Sequence, residues 1–404
     1  MSSVQELLTR LASQEIKLWV DGDKLRCSGP ESLMTAALKS ELAQRKIELI
    51  EALRLANRSN PAVPQSDDLV TDSGDAVDLF ATPSMNPAII DYEIDAQVAW
   101  RGSDLPADAG VVSLSRECAG EIAALVGLLR ANPFPLVALR HDDFDLPACR
   151  ALMLQVKQKL ETPLRFAVVD RLDMTSMSHD EARSVYWLLA SMVARPVAQK
   201  WAGAMTYDVC DLGKKSLRAV DTNDELNYHT DNAFNTRAPD YVALLCLQKA
   251  KEGGMSKLVN FSAVHNEIRR RAPALLARLY GTYIFSRQGE HAANDAPTIR
   301  HALFENHQGE ILGRLSRFHV RTGQALAGEA LDSDGAAALE MLEAIMNEPA
   351  LGFEYWFEPG QIQIIDNRRI GHKRTSFIDW PEPERRRRLM RLWLRNSGRP
   401  FYNG

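Results

Sequence analysis

Apolar positions recur along this chain with two different periods, and the changes of period mark its elements. Residues 3–12 place Val4, Leu7, Leu8 and Leu11 on one helical face, and Ser3 and Glu6 have the spacing of a capping box. The short β-prone runs IKLWV and KLRCS then flank Asp21-Gly22-Asp23, whose glycine admits the positive φ of a tight hairpin turn. Helical spacing returns from Leu33 to Leu53, where Leu38, Leu42, Leu49 and Leu53 form a stripe. Residues 1–57 therefore predict helix, hairpin, helix.

From about Asp91 to Gly404 the pattern is mixed. CAGEIAALVGLLRA and ALEMLEAIMN have helical period, whereas PLVALR, YVALLCLQKA, GQIQII and LMRLWLR read as strands. An α+β domain with a β-rich core and flanking helices is expected over residues 91–404. The chain carries no internal repeat, no G-x-x-x-x-G-K-[ST] and no G-x-S-x-G, so phosphate-loop and serine-hydrolase chemistry find no support.

Between these regions, residues 58–90 hold four prolines, five aspartates and one arginine, too little apolar surface to offset chain entropy. They read as an acidic linker. The tether also explains most of the formal charge of −5, because the flanking regions are each close to balanced. That near-neutral balance argues against a nucleic-acid partner. No apolar run reaches the roughly 18 residues of a membrane span, so no membrane contact and a cytoplasmic location are expected. The five cysteines are scattered without a C-x-x-C pair, which argues against a disulfide framework or a thiolate zinc site.

Two imidazoles and one carboxylate on one face of a metal leave adjacent positions open for a chelating cosubstrate and dioxygen. H-x-D or H-x-E near a strand end supplies two of the three, since residues i and i+2 of a strand project to the same side. The pattern occurs four times, at His141-Asp143, His179-Glu181, His229-Asp231 and His265-Glu267. His265 and Glu267 fall in a helical stretch, where i and i+2 diverge by about 200°. His179-Glu181 reads as a polar helix start, and His141-Asp143 as an acidic turn after a strand. His229-Asp231, in ELNYHTDNAF, precedes a strand and a Gly253-Gly254 pair, with a third imidazole at His372 in QIQIIDNRRIGHKRTSF. A rolled double sheet brings such remote strand ends together.

HTDNAF, KEGGMS, PGQIQIIDNRRIGHKRTSF and ERRRRLMRLWL, in this order, resemble the TauD/TfdA and clavaminate-synthase-like Fe(II)/2-oxoglutarate dioxygenases. The resemblance spans roughly residues 200–400. It implies a double-stranded β-helix (jelly-roll) core, with His229, Asp231 and His372 as the ligands of Fe(II), and 2-oxoglutarate and O2 as cosubstrates. A dicarboxylate that chelates iron at one end presents its other carboxylate to the protein, for which an arginine fork and a hydroxyl are natural receivers. The family's R-x-x-x-R matches Arg387 and Arg391. Arg387 is assigned to the distal carboxylate, with Arg386 and Arg388 as competing positions, and Arg391 to the keto-acid end or the substrate. Ser256 supplies the hydroxyl where most relatives carry Thr. Lys373 stands where Gly is common.

LLTRLASQEIKLWVDGDKLR and KSELAQRKIELIEALR resemble the TubC-type N-terminal docking domain of nonribosomal peptide synthetase assembly lines. This implies that residues 1–57 capture a segment of a synthetase or carrier protein along an exposed hairpin edge, Lys17 to Val20 or Lys24 to Cys27. The two resemblances together imply a hydroxylase acting in trans in natural-product biosynthesis. Its substrate is an amino acid or aminoacyl group, free or carrier-bound, with the β-carbon favoured. Desaturation or ring closure, action on a free small acid, and an inactive scaffold are the alternatives. Asp221 to Glu225 with Asn227, Asn232 and Asn235 are candidates for a substrate lid or an ordinary polar loop.

Overall fold

The computed structural model describes residues 88–211 and 222–404, the strands Lys17–Asp21 and Lys24–Ser28, and Leu42, Arg45, Glu48 and Leu49. The chain divides into two compact units, Met1–Val77 and Asp78–Gly404. In the first, the two strands pair antiparallel with Asp21 opposite Lys24, as the Asp-Gly pair between them predicts. Leu42 and Leu49, both on the predicted stripe, are helical and buried. The helix expected over residues 3–12, most of that over 33–53 and nearly all of the tether lie outside the described residues. Ile90, at the tether's end, is buried in the core of the second unit.

Ten strands of the second unit position its site: β1 (Val111–Val112), β2 (Phe166–Val169), β3 (Arg195–Val197), β4 (Tyr207–Val209), β5 (Tyr241–Gln248), β6 (Ser256–Asn260), β7 (Gly352–Tyr355), β8 (Ile362–Asp366), β9 (Ile370–Arg374) and β10 (Arg388–Arg395). Seven form one sheet in the order β1-β2-β8-β5-β10-β3, with β4 also paired to β10. Three form a second sheet, β7-β6-β9. Period-2 alternation divides the large sheet between two cores. Val242, Ile365 and Trp393 face inward and meet Leu258, Phe353 and Ile370 of the smaller sheet. Their neighbours Ala243, Ile364 and Leu392 face outward onto helices α1 (Arg116–Ala131), α2 (Pro147–Glu161) and α3 (His179–Val193). Helices α4 (Phe261–Arg271), α5 (Pro273–Leu279), α6 (Arg317–Ala327) and α7 (Ser333–Met346) cover the other side of the smaller sheet.

The expected strands in YVALLCLQKA, GQIQII and LMRLWLR form β5, β8 and β10. PLVALR does not form a strand. Pro135 has no N–H to give a ladder, and the run closes as one 3-10 turn, Leu136–Ala138, with Leu139 N donating to Leu136 O at 3.2 Å.

Candidate metal centre

The centre begins as a backbone pairing. His229 N donates to His372 O and His372 N to His229 O, each at 3.0 Å, an isolated bridge that pairs His229 with the middle of β9. The two imidazole rings lie 4.4 Å apart. Asp231 follows two residues later, and Asn232 turns the chain away at φ 57°, a conformation that Asn tolerates better than most residues. Asn367, at the end of β8, fixes Asp231 by its backbone: Asp231 N donates to Asn367 Oδ1 at 2.8 Å, and Asn367 Nδ2 to Asp231 O at 3.0 Å.

Both imidazoles aim Nε2 at one carboxylate oxygen. His229 Nε2 lies 3.6 Å and His372 Nε2 3.7 Å from Asp231 Oδ1. The ligand atoms of the three residues fall within 4.8 Å of one another. The other atoms of the triad set its orientation. His229 Nδ1 donates to Asn227 O at 2.9 Å, which leaves the Nε2 lone pair available. Asp231 Oδ2 accepts from Trp393 Nε1 at 2.6 Å and pairs with Arg391 Nη1 at 3.0 Å, so Oδ1 faces the imidazoles. Burial by itself would raise the Asp231 carboxyl, but Arg391 and the imidazoles hold it well below the usual carboxylate range. Burial lowers His229 to about 4. A carboxylate beside a neutral imidazole is the state that binds a metal.

Among the described residues this is the one group of three such side chains with convergent ligand atoms. The three competing pairs go elsewhere. His265 is fully buried in α4, edge-on to Tyr280. His179 starts α3, where Glu181 closes a capping box on Ser178. His141 Nδ1 lies 3.0 Å from Arg150 Nη1, and residues 141–143 form a 3-10 turn, as the acidic turn read there leads one to expect, although the run before it is not a strand.

Two cavities open on the triad and share Leu226, His229, Asp231 and Arg391. The inner one, about 60 Å³, is lined on its apolar side by Val242, Leu244 and Phe357 and reaches Ser256, Arg374 and Arg387. The outer one, about 290 Å³, is lined by Glu225, Tyr228, Phe318, His319, Trp393 and Tyr402, among others. Arg387 is 5% exposed, its Nη1 is buried without a partner, and burial lowers it to about 10. The Gly253-Gly254 turn makes room for it: both glycines have positive φ, and a Cβ at Gly254 would stand 3.2 Å from Arg387 Nε. Arg388 is exposed and Arg386 donates to Trp380 O and Pro381 O, so neither competing arginine enters the cavity.

A family model, taurine catabolism dioxygenase TauD, TfdA family, matches residues 132–393. The chain belongs to this dioxygenase family. A second model, TubC N-terminal docking domain, matches residues 4–54. The chain is 29% identical over 283 residues to FR-33289 synthase of Streptomyces rubellomurinus, covering 67% of this chain and 82% of that protein. Gamma-butyrobetaine dioxygenase of Homo sapiens is 23% identical over 194 residues, 44% of this chain and 50% of that protein. In fold this chain is similar to asparagine oxygenase, solved with Fe(II), 3-hydroxyasparagine and succinate, at TM-score 0.55 and 19% identity over 71% of this chain and 94% of that one. The non-heme iron oxygenase OrfP, solved with Fe and alpha-ketoglutaric acid, superposes at TM-score 0.54 and 16% identity, with the same coverage.

Within this TauD/TfdA domain, sequence reasoning missed Trp393 and Asn367 around Asp231 and Arg374 in the inner cavity, and it gave Arg391 to the keto-acid end or the substrate, whereas the structure pairs Arg391 with Asp231 Oδ2. Trp393 and Arg391 hold the carboxylate and Asn367 holds its backbone; the alternation of β10 that puts Arg391 and Trp393 on one face was the available signal. Arg374 enters the inner cavity beside Arg387. Lys373 is accounted for by Glu225 Oε1 at 2.7 Å and Asn347 Oδ1 at 2.6 Å. Of the lid candidates, Glu225, Asn227 and Asn232 line the outer cavity. Asn232 and Asn235 are nevertheless structural, since Tyr402 donates to Asn232 Oδ1 and Asn235 Nδ2 donates to Tyr402 O. Asp221 lies outside the described residues.

Proposed function

We propose that residues 91–404 form an Fe(II)/2-oxoglutarate-dependent hydroxylase acting on an amino-acid side chain in nonribosomal peptide biosynthesis. Residues 1–57 serve as its docking domain and 58–90 as the tether. The observation that carries this is the convergence of His229 Nε2, His372 Nε2 and Asp231 Oδ1 beside a buried guanidinium, Arg387, whose Nη1 has no partner. Two nitrogens and one oxygen on one side of a metal suit a non-haem iron, and an unpartnered buried guanidinium suits a carboxylate. When bound, iron and 2-oxoglutarate supply the oxidising chemistry: dioxygen is consumed, succinate and carbon dioxide are formed, and a C–H bond becomes C–OH.

The chain's own residues do the rest. Trp393 and Arg391 hold Asp231 so that one oxygen faces the metal position, and Asn227 O fixes the His229 tautomer. Arg387 and Ser256 receive the distal carboxylate, and Val242, Leu244 and Phe357 keep water from the inner cavity. Ser256 stands opposite Tyr355 and Arg374 in the strand register, which fixes its place on the cavity wall. The outer cavity takes the substrate; its wall is part aromatic and part polar, which suits a side chain with a polar end. Hydroxylated amino acids in the solved complexes of asparagine oxygenase and OrfP support an amino-acid substrate, and the β-carbon is the favoured position. The TubC match supports docking to a synthetase or carrier protein.

Incubating candidate amino acids, free and loaded on carrier protein, with Fe(II), 2-oxoglutarate and air tests this by mass spectrometry. One class should gain a single oxygen, and His229→Ala should abolish the gain. Absence of any oxygenated product across both classes, with succinate still formed, would overturn the amino-acid assignment.

A further inference from the structure

The inner cavity contains more positive charge than one arginine fork. Arg374 ends β9, two residues from His372, so strand alternation turns both side chains to the same face. It stands directly opposite Ser256 across the β6–β9 ladder. Like Arg387, it is buried, at 7% exposure. Its Nη2 donates to Asp224 O at 2.6 Å and Thr222 O at 3.1 Å, which fixes the guanidinium, while Nε and Nη1 are buried without partners. Both guanidinium carbons lie over the Phe377 ring, Arg374 at 4.4 Å and Arg387 at 5.1 Å from its centroid. Two cations therefore sit on one aromatic ring, each with unpartnered N–H groups at the wall of the same cavity.

That arrangement is costly when nothing lies between the two. Buried N–H groups without acceptors lose the hydrogen bonds water gave them, and two like charges in a low-dielectric site repel. One carboxylate removes both penalties, because its two oxygens offer about four acceptor sites. We propose that Arg374 is a second receiver of the distal carboxylate of the 2-oxo acid, so the anchor is a pair of guanidiniums with Ser256 between them. This rests on the reading of the inner cavity as the 2-oxoglutarate site.

Anaerobic titration of 2-oxo acids into the Fe(II)-loaded full-length protein, read from the visible charge-transfer band, tests the proposal. 2-Oxoglutarate is compared with 2-oxobutyrate, which chelates the metal equally but has no distal carboxylate. Arg374→Gln should weaken 2-oxoglutarate about ten- to a hundredfold, the range for loss of a charge-assisted hydrogen bond in a buried site. The same variant should leave 2-oxobutyrate within about twofold, and Arg374→Lys should restore part of the loss. Equal weakening of both acids would mark Arg374 as merely structural and overturn the proposal. Unchanged 2-oxoglutarate binding in Arg374→Gln, with Arg387→Gln impaired, would also overturn it while leaving the cosubstrate site in place. If Arg387→Gln were unimpaired as well, the reading of the inner cavity itself would fall.

Discussion

The two cavities that meet at Asp231 are built from opposite materials. The inner wall is strand: Ser256 on β6, Arg374 on β9, and Arg387 just ahead of β10, all less than a tenth exposed. The outer wall comes largely from loops and a helix end, with Phe318 on α6 nearly half exposed and Gln288 held at φ 53° in a turn. Strand register fixes a side chain on both sides through the ladder, so the inner wall is suited to one invariant ligand. Loop-borne side chains answer to fewer neighbours, and substrate choice can change there without disturbing the centre.

The sharpest break of this comparison falls on the residue both cavities share. Asp231→Ala should lower turnover at least about a thousandfold, roughly 4 kcal/mol of barrier, with product formation and 2-oxoglutarate consumption falling together. A variant that kept consuming 2-oxoglutarate at the parent rate would separate the inner site from the triad. Trp393→Phe keeps an aromatic ring in the core but removes the 2.6 Å hydrogen bond to Asp231 Oδ2. Such an outer-shell loss should weaken Fe(II) about ten- to a hundredfold, seen as a shifted metal titration with an unchanged fold by circular dichroism.

Phe318→Ala, on the outer wall, should raise the substrate KM several-fold, in keeping with lost contact of about 1 kcal/mol at a half-exposed site. The 2-oxoglutarate affinity should stay within about twofold; a comparable loss there would show that the two walls are not independent. The smallest effect is in stability. Burial lowers His265 and His319 to about 4 in the folded protein. The unfolded chain takes up those protons near pH 6.5 and the fold refuses them until about pH 4, so stability falls as pH drops through that window. The melting temperature of the metal-free protein should drop by roughly 5 °C between pH 7 and pH 5. A flat profile would mean that these imidazoles find acceptors or solvent on protonation.

Much of the centre could be read from the chain because its parts are local. HTD has strand spacing, and LMRLWLR reads as a strand, in which residues two apart such as Arg391 and Trp393 share a face. The helical decoy His265 was legible for the same reason, since period alone separates it from a strand pair. What escaped was tertiary. Nothing near Arg391 in sequence reveals that Asp231 lies 3.0 Å away, and Arg374 shows its role only once the β6–β9 register sets it opposite Ser256. PLVALR was misread because an apolar run becomes a strand only where a ladder can receive it, and Pro135 removes one donor.

Anaerobic addition of Fe(II) and then 2-oxoglutarate to the purified full-length protein tests the central claim most directly. The account predicts a weak visible charge-transfer band that saturates with 2-oxoglutarate and is lost in His229→Ala. A folded protein that binds Fe(II) yet shows no band, or a band that survives in His229→Ala, would contradict it.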